Sequence, residues 1–269
     1  MAPEAKVTAA TLRARKGTGE RIAVLTAYDV VFARLADGAG IDVVLVGDSL
    51  GMVVQGERST LAVTLDEMVY HSRIAARGIT RAHLVADMPF MSYQASIEDG
   101  MRSAGRLIKE GHAEAVKLEG GVEVAELCRR LVRAGIPVMG HVGLTPQSIH
   151  QLGGFKVQGR TDAQRTQILE DARALSEAGA YAVVLEAIPH ALAGEITHAV
   201  PALTIGIGAG ADCDGQVMVM HDLLGLQPSW KPRFVRRYAE MGKAAGEAFA
   251  AYAADVRAGT FPAAEETYE

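Results

Sequence analysis

Eight short apolar runs, rich in β-branched residues, recur along the chain between longer amphipathic segments. The runs are IAVLTAYD, DVVLVGDS, AHLVADMPF, AEAVKLEGG, IPVMGHVGL, AYAVVLEAIP, ALTIGIGAG and GQVMVMHDLLG. Each has the length of a strand and is too continuously apolar to keep one face in water, so we interpret them as buried parallel strands. Eight strands alternating with helices predict an α/β fold, specifically a (β/α)8 TIM barrel. A doubly wound open sheet is the alternative, because periodicity does not show closure.

The segments between these runs carry the signals of amphipathic helices. In residues 64–78, Thr64 and Glu67 have the spacing of a capping box, and Gly78 stands where a C-cap is expected. The same pattern recurs in two later segments, 96–111 and 163–179.

Two segments depart from this alternation. Residues 143–162 are Gly-rich, polar and too long for an ordinary connection, which indicates a functional loop over the site. The segment after Trp230 has a helical pattern and lies beyond the eighth predicted strand. It is expected either to cap the barrel or to pack on a neighbouring subunit.

Composition limits the classes of partner. The chain has 269 residues, 22% of them charged, a net charge of −5 and no clustered run of Lys and Arg. This balance argues against nucleic acid or an anionic membrane as the main partner, whereas small anionic substrates remain compatible. Residues 1–269 are expected to form a single barrel domain with an N-terminal helical segment and a C-terminal helical tail.

Cysteine usage and hydropathy indicate the compartment. Cys128 and Cys213 are too few and too far apart for a disulfide scaffold or a Cys-rich zinc site. No signal peptide is recognisable, and no apolar run approaches the roughly 20 residues that span a bilayer. A cytoplasmic location is therefore expected.

Polar side chains stand at the end of nearly every predicted strand. They are Asp29, Asp48, Ser49, Asp87, Lys117, Glu119, His141, Glu186, His221 and Asp222. In a (β/α)8 barrel these strand ends and the loops after them carry the chemistry. Exposure to water explains any single one of them, but exposure alone would not favour acids so strongly over Lys, Thr and Ser.

Three of these acids suggest a metal site. Asp48, Asp87 and Glu119 end the second, third and fourth predicted strands, so barrel closure would bring their carboxylates into one sector. Like charges at such spacing repel unless a cation joins them. Oxygen ligands without accompanying Cys or paired His favour Mg²⁺ or Mn²⁺ over Zn²⁺. The alternative is that one or two of these acids cap the following helix.

The remaining strand ends suggest other roles in catalysis. Lys117 precedes Glu119 by two positions and shares its face of the strand. It can act as an ion-pair partner, an anchor for a substrate carboxylate or a Schiff-base nucleophile, and its acidic neighbours favour the first two. Glu186, across the barrel, is placed to act as a general base, or else simply faces solvent. His141 either orients substrate or is a structural hydrogen-bonding partner.

A glycine-rich stretch supports a non-catalytic alternative. Residues 205–210, IGIGAG, offer backbone amides that can cradle an anion, which allows a binding barrel without catalysis. The stretch lacks the placement and the ribose-binding acid of a dinucleotide fingerprint.

Taken in order, seven motifs resemble the ketopantoate hydroxymethyltransferase family. They are LTAYD, VGDSLGMVVQG, ADMPFMSY, AVKLEGG, PVMGHVGLTPQS, VVLEAIP and IGIGAGADCDGQVMVMHDLLGL, between residues 25 and 226. The resemblance implies a barrel of the phosphoenolpyruvate mutase/isocitrate lyase type that uses Mg²⁺. It further implies transfer of a hydroxymethyl group from 5,10-methylenetetrahydrofolate to 3-methyl-2-oxobutanoate, giving 2-dehydropantoate through a Mg²⁺-stabilised enolate.

The resemblance also implies roles for individual residues. Metal ligands fall on Asp48, Asp87 and Glu119, contacts to the 2-oxoacid on Asp48, Ser49, Asp87 and Lys117, and the base on Glu186. Family members usually assemble as homodecamers, and the segment after Trp230 is the one expected to pack between subunits. Residues 143–162 and this tail are the expected walls for the folate.

A Mg²⁺-dependent 2-oxoacid lyase or mutase of the same barrel group is the alternative activity. Those relatives typically carry a catalytic Cys in a KKCGH-like loop or a different gating loop, and neither Cys128 nor Cys213 has such a context.

Overall fold

The computed structural model describes residues 5–227 and 232–268, so Trp230 lies outside the described residues. The chain divides into two compact units, Met1–Val219 and Met220–Glu269. Within the described residues, the first unit contains the strands and most helices, and the second contains two α-helices and a 3-10 helix, Ala264–Glu266. The single-domain organisation expected from the sequence stays a prediction.

Eight strands of the first unit form a closed barrel in which each strand pairs with its sequence neighbours and β8 returns to β1. The strands are β1 Ile22–Thr26, β2 Val43–Val46, β3 His83–Asp87, β4 Ala115–Glu119, β5 Val138–Gly143, β6 Ala182–Glu186, β7 Leu203–Ile207 and β8 Gly215–Met218. All pairings are parallel. The predicted (β/α)8 barrel is confirmed, and closure excludes the open sheet.

The barrel interior is packed with the small and β-branched side chains of alternate strand positions. Val24, Val43, Val85, Ala115 and Val184 belong to one buried cluster, together with residues of the other strands. Every residue of β2, β3 and β4 is buried, because helices cover the outer face while side chains fill the inside. The continuously apolar runs in the sequence reflect this burial on both faces.

The helices follow the strands in the expected alternation. They are α1 Ala9–Arg13, α2 Val30–Gly38, α3 Leu50–Val53, α4 Leu65–Ala76, α5 Ile97–Lys109, α6 Ala125–Arg133, α7 Ile149–Leu152, α8 Asp162–Glu177 and α9 His190–Ala199 in the first unit, and α10 Met220–Leu224 and α11 Met241–Ala258 in the second. The predicted helical pattern of the tail is confirmed by α11. In the described residues no helix is long and apolar enough to cross a membrane.

The predicted capping box of α4 is present, but its C-terminus differs by one residue. Thr64 N–H donates to Glu67 Oε2 at 2.7 Å, and Glu67 N–H donates to Thr64 Oγ1 at 3.3 Å. The C-cap is Arg77, not Gly78. Gly78 has a packing role instead, since a Cβ there would lie 2.5 Å from the carbonyl oxygen of Val30 at the start of α2.

The segment 143–162 is more ordered than a simple loop. It contains a 3-10 turn, Pro146–Ser148, followed directly by α7. Gly143 opens it with φ +95°, a left-handed conformation that leaves no room for a side chain because a Cβ would lie 2.4 Å from the carbonyl oxygen of Glu186. This close approach turns the chain sharply as it leaves β5.

Candidate active site

The C-terminal end of the barrel gathers the predicted site residues. Asp87, Glu119 and Glu186 are the last residues of β3, β4 and β6, and Asp48 follows β2 by two positions. Lys117 precedes Glu119 by two residues on β4, so strand alternation points both side chains inward. They lie in the same sector of this end of the barrel, which we call the mouth. The side chains of Asp87, Lys117 and Glu119 are at most 5% exposed.

Lys117 is paired with an acid. Its Nζ lies 3.0 Å from Asp87 Oδ1, and Asp87 Oδ2 accepts a hydrogen bond from the backbone N–H of Asp48 at 3.1 Å. Burial lowers the pKa of Lys117, but Asp87, Glu119 and Asp48 outweigh burial, so the ammonium stays protonated. A protonated lysine is not a nucleophile, so the geometry favours the ion-pair or anchor role over Schiff-base chemistry.

His141 lies between two carboxylates. Its Nδ1 is 3.3 Å from Glu119 Oε1, and its Nε2 is 3.1 Å from Glu186 Oε2. Burial and the Lys117 charge lower the pKa of His141, but the two carboxylates outweigh them and raise it to about 9. The ring is therefore a cation at neutral pH, and it connects the acid of β4 with the acid of β6.

Asp48 is the mouth acid whose ionised form is most disfavoured by its surroundings. Burial, then the charges of Asp87 and Glu119, raise its pKa well above the usual range, although Lys117 and Gln147 act in the opposite direction. Burial also raises the pKa of Asp87 despite its pairing with Lys117. Burial acts on Glu119 too, but His141 and Lys117 outweigh it and hold its pKa low. The mouth therefore holds more carboxyl groups than cations, and burial disfavours the ionised forms of Asp48 and Asp87.

Ser49 lies at the edge of this cluster. Its Oγ is 2.9 Å from the hydroxyl of Tyr28, a buried residue between β1 and α2. Burial raises the pKa of Tyr28, so its hydroxyl keeps its proton and can donate to Ser49. A Cβ on Gly47 would come within 2.8 Å of Ser49 Oγ, so glycine at that position leaves room for the serine.

Two residues of the site had not been predicted from the sequence. Gln147 donates from Nε2 to Asp48 Oδ2 at 2.9 Å and from its backbone N–H to Glu119 Oε2 at 2.9 Å. The hydroxyl of Tyr93 lies 2.9 Å from Gln147 Oε1. Amide and phenol side chains are uncharged, so the pattern of charged strand ends does not identify them. The interpretation of residues 143–162 as a loop over the site was the sequence feature that pointed to Gln147.

Three other strand-end features of the sequence have local roles or belong to the second unit. Asp29 caps α2, accepting from the N–H groups of Val31 and Phe32. His221 and Asp222 belong to α10 in the second unit. Two glycines of 205–210 have packing roles, since a Cβ on Gly206 would lie 3.0 Å from Cys213 Sγ and one on Gly210 would lie 2.5 Å from His190 Cβ.

The acids do not form a closed protein cage for a metal. Among residues 5–227 and 232–268, no group of three or more His, Cys, Asp or Glu side chains is arranged to hold a metal ion. The oxygens facing the mouth are partly engaged by Gln147, His141 and Lys117.

Sequence comparison identifies the family. Residues 6–264 match the model of the family described as ketopantoate hydroxymethyltransferase. The chain belongs to the ketopantoate hydroxymethyltransferase family. It is 58% identical to the 3-methyl-2-oxobutanoate hydroxymethyltransferase of Syntrophotalea carbinolica over 97% of this chain and 98% of that protein. It is 55% identical to the enzyme of the same name from Moorella thermoacetica over the full length of both.

Solved structures place this ketopantoate hydroxymethyltransferase family member in a wider fold group. Phosphonopyruvate hydrolase superposes with a TM-score of 0.64 at 13% identity, covering 98% of this chain and 92% of that one. The lyase of 2,3-dimethylmalate, a member of the PEP mutase/isocitrate lyase superfamily, gives 0.61 at 18% identity over 96% and 90%. At these identities the likeness shows the fold, which is the barrel type expected from the sequence.

Proposed function

We propose that this protein transfers a hydroxymethyl group from 5,10-methylenetetrahydrofolate to 3-methyl-2-oxobutanoate, giving 2-dehydropantoate. Relatives more than 50% identical over nearly the whole chain carry the name of that enzyme. The observation that carries the proposal is the set of buried carboxyl groups at the barrel mouth, of Asp48, Asp87 and Glu119. Glu186 lies on the other side of His141 from this set. This arrangement suits proton removal next to a keto group.

The residues present fit a magnesium ion. Among the described residues, the four carboxyl groups of Asp48, Asp87, Glu119 and Glu186 have two neighbouring cations, Lys117 and His141, so a divalent ion would favour the ionised forms of the remaining acids. Asp48, Asp87 and Glu119 would hold the ion. Mg²⁺ usually takes one or two protein carboxylates and fills its other positions with water and substrate oxygens, so a mouth without a closed cage suits it. When bound, it supplies Lewis-acid polarisation of the keto group.

The rest of the mouth suits a 2-oxoacid with a branched alkyl end. Lys117 and the Ser49 hydroxyl are the groups we assign to the substrate carboxylate. On the other side, Ile207 pairs in register with Glu186, and Val217 of β8 belongs to the same apolar cluster. An acid head toward β2 to β4 and an alkyl end toward β7 and β8 would set C3 near Glu186.

Glu186 is assigned the role of general base. Its side chain is 16% exposed, more than the other mouth acids, and its Oε2 contacts His141 Nε2. The imidazolium holds one carboxylate oxygen in place and leaves the other to take the proton from C3. The resulting nucleophilic carbon then attacks the methylene carbon of the folate, the bonds from that carbon to the folate nitrogens break, water supplies the hydroxyl and tetrahydrofolate leaves. Residues 143–162 are the proposed wall for the folate.

Assembly and location are further parts of the proposal. We assign a homodecamer, and it is supported by large apolar side chains exposed on the first unit, Val31 and Leu35 of α2 and Tyr70 of α4, at 52–62%. Surfaces of this kind commonly mark contacts between protein chains. A cytoplasmic location is supported by two cysteines that are both reduced and buried.

Exchange of the C3 proton tests the chemistry without the folate. The protein is incubated with 3-methyl-2-oxobutanoate in heavy water, with and without Mg²⁺, and deuterium at C3 is followed by nuclear magnetic resonance. We expect Mg²⁺-dependent exchange in the wild type and an about 10²–10⁴-fold slower rate in Glu186→Gln, with oxoacid binding retained. Glu195→Gln, on the outer helix α9, is the matched control and should exchange normally.

Two outcomes would contradict the proposal. Absence of Mg²⁺-dependent exchange in the wild type would reject an enolising enzyme. Exchange without product formation after 5,10-methylenetetrahydrofolate is added would favour a lyase or mutase acting on a similar oxoacid.

A further inference from the structure

Gln147 lies at the centre of the hydrogen-bond network between the mouth acids. It sits in the 3-10 turn Pro146–Ser148, directly after β5, and is 6% exposed. Its backbone N–H and both polar atoms of its side chain have hydrogen-bond partners. A buried amide satisfied this completely has its conformation fixed by its surroundings.

This single residue contacts two of the three acids assigned to the metal. Its Nε2 donates to Asp48 Oδ2, and its backbone N–H donates to Glu119 Oε2, both at 2.9 Å. Asp48 follows β2 and Glu119 ends β4, so a turn after β5 links two strand ends that are not neighbours in the barrel. Hydrogen bonds to ionised carboxylates are stronger than those between neutral groups.

The orientation of the amide follows from its partners. The Nε2 atom faces Asp48 Oδ2 and the carbonyl oxygen of Met88, which are both acceptors. The Oε1 atom faces the Tyr93 hydroxyl and Gln94 Nε2, both at 2.9 Å. A flipped amide would set acceptor against acceptor and donor against donor, so only one orientation is compatible with the site.

Tyr93 extends this hydrogen-bond network to the backbone of β4. Its hydroxyl accepts from the N–H of Glu119 at 3.0 Å and lies 2.9 Å from the Glu119 carbonyl oxygen. Tyr93 therefore holds the main chain of Glu119, while Gln147 holds its carboxylate. Without these contacts, mutual repulsion would drive the Asp48 and Glu119 carboxylates apart.

We propose that Gln147 is a positioning residue that fixes the Asp48 and Glu119 carboxylates at the spacing required by a divalent cation and the 2-oxoacid. This inference rests on the proposed function. Groups that orient the side chains around a metal in this way strongly affect metal affinity, even though they do not touch the ion.

The test compares two glutamine-to-methionine substitutions in the full chain. Gln147→Met keeps the length of the side chain and the backbone N–H to Glu119, but removes the donor to Asp48. Gln167→Met is the matched control, because Gln167 on α8 also donates to an aspartate at 3.0 Å but is exposed, and its partner Asp171 is not one of the mouth acids. Mn²⁺ is the probe, and free Mn²⁺ is followed by electron paramagnetic resonance.

We expect Gln147→Met to bind Mn²⁺ about 10–100-fold more weakly than the wild type, and C3 exchange to recover in part at saturating Mn²⁺. Gln167→Met should match the wild type. A purely structural role would lower the thermal midpoint of Gln147→Met and leave the Mn²⁺ affinity of the folded protein unchanged, and that result would overturn the inference.

A second variant decides the question if Gln147→Met does not fold. Tyr93→Phe removes the hydroxyl that faces Gln147 Oε1 and should weaken Mn²⁺ binding in the same direction by a smaller factor, whereas unchanged affinity would overturn the inference. A wild type that binds Mn²⁺, combined with unaffected variants, rejects only the role of Gln147. A wild type that does not bind Mn²⁺ rejects the metal site and this inference together.

Discussion

The two ends of the barrel hold acids in opposite charge environments. At the N-terminal end, Asp42, Glu114 and Asp214 directly precede β2, β4 and β8. Each has at least one cation of its own. The pairs are Asp42 with Arg15 and Arg81, Glu114 with Lys6, and Asp214 with Lys16, at N···O distances of 2.7–3.3 Å.

At the C-terminal end the balance is lost, because four carboxylates share Lys117 and His141. The pKa values reflect this difference. Although burial acts to raise it, the pKa of Glu114 falls to about 2 through contacts with His83, Leu84 and Lys6, whereas that of Asp48 is raised well above its usual range. Balanced acids stabilise the barrel, and unbalanced acids are tolerated where function requires them.

The largest expected effect comes from neutralising an acid at the mouth. Asp48→Asn should lower kcat/KM about 10³-fold or more, because it removes both a proposed metal ligand and a substrate contact. The stability of the metal-free protein should not fall. The raised pKa of Asp48 means that the folded state disfavours its ionised form, and Asn has no such ionisation. Turnover assays and thermal unfolding without metal measure the two effects.

Neutralising an acid at the opposite end should give the reverse result. Asp42→Asn removes the carboxylate that Arg15 and Arg81 share and weakens the hydrogen bond to Ala23 N–H. We expect the free energy of unfolding to fall by about 2–4 kcal/mol with kcat unchanged at a temperature where the variant is folded. Chemical denaturation measures the loss, and a stable but inactive Asp42→Asn would show that the ends are not functionally distinct.

Much of this contrast can be predicted from the sequence. Runs such as DVVLVGDS are continuously apolar because both faces of each strand are buried, so the number of strands and their positions along the chain follow directly. A charged residue at the end of a continuously apolar run indicates a functional role. This pattern identifies Asp48, Asp87, Lys117, Glu119 and Glu186.

The pairing of these residues could not be predicted. Barrel register decides that Lys117 faces Asp87 and that His141 spans Glu119 and Glu186, and register is a tertiary property. Gln147 was not predicted because it is uncharged. Its hydrogen-bond donors reach the site through a turn whose conformation the sequence pattern does not show. The boundary error at Gly78 arose because this glycine is required by helix packing rather than by a left-handed C-cap.

Magnesium should stabilise the protein through the mouth alone. At about 100 times its dissociation constant, an ion that binds only the folded state adds about 2.7 kcal/mol, which corresponds to a rise of about 5–10 °C in the thermal midpoint. Asp48→Asn should lose this rise and Asp42→Asn should keep it. Scanning calorimetry with and without Mg²⁺ measures the shift, and an equal rise in both variants would place the ion elsewhere.

The smallest expected effect is the acid dependence of the N-terminal end. The pKa of Glu114 in the folded protein, about 2, lies below its ordinary value of 4.5, so its stabilising contribution is complete above pH 4.5 and is lost as the pH falls toward 2. Its side chain is 37% exposed, so solvent screening reduces the contribution to about 1 kcal/mol. Urea unfolding at pH 5 and pH 2.5 should show wild type losing about 1 kcal/mol more than Glu114→Gln. Equal losses would contradict the assignment.

Calorimetric titration of Mg²⁺ into the protein, with 3-methyl-2-oxobutanoate present, tests most directly whether the excess charge at the mouth serves a cation. We expect one ion per chain in the wild type and in Asp42→Asn, and no measurable binding in Asp48→Asn. Equal binding by Asp48→Asn and Asp42→Asn, or none by the wild type, would contradict the assignment of the mouth acids to a metal-dependent site.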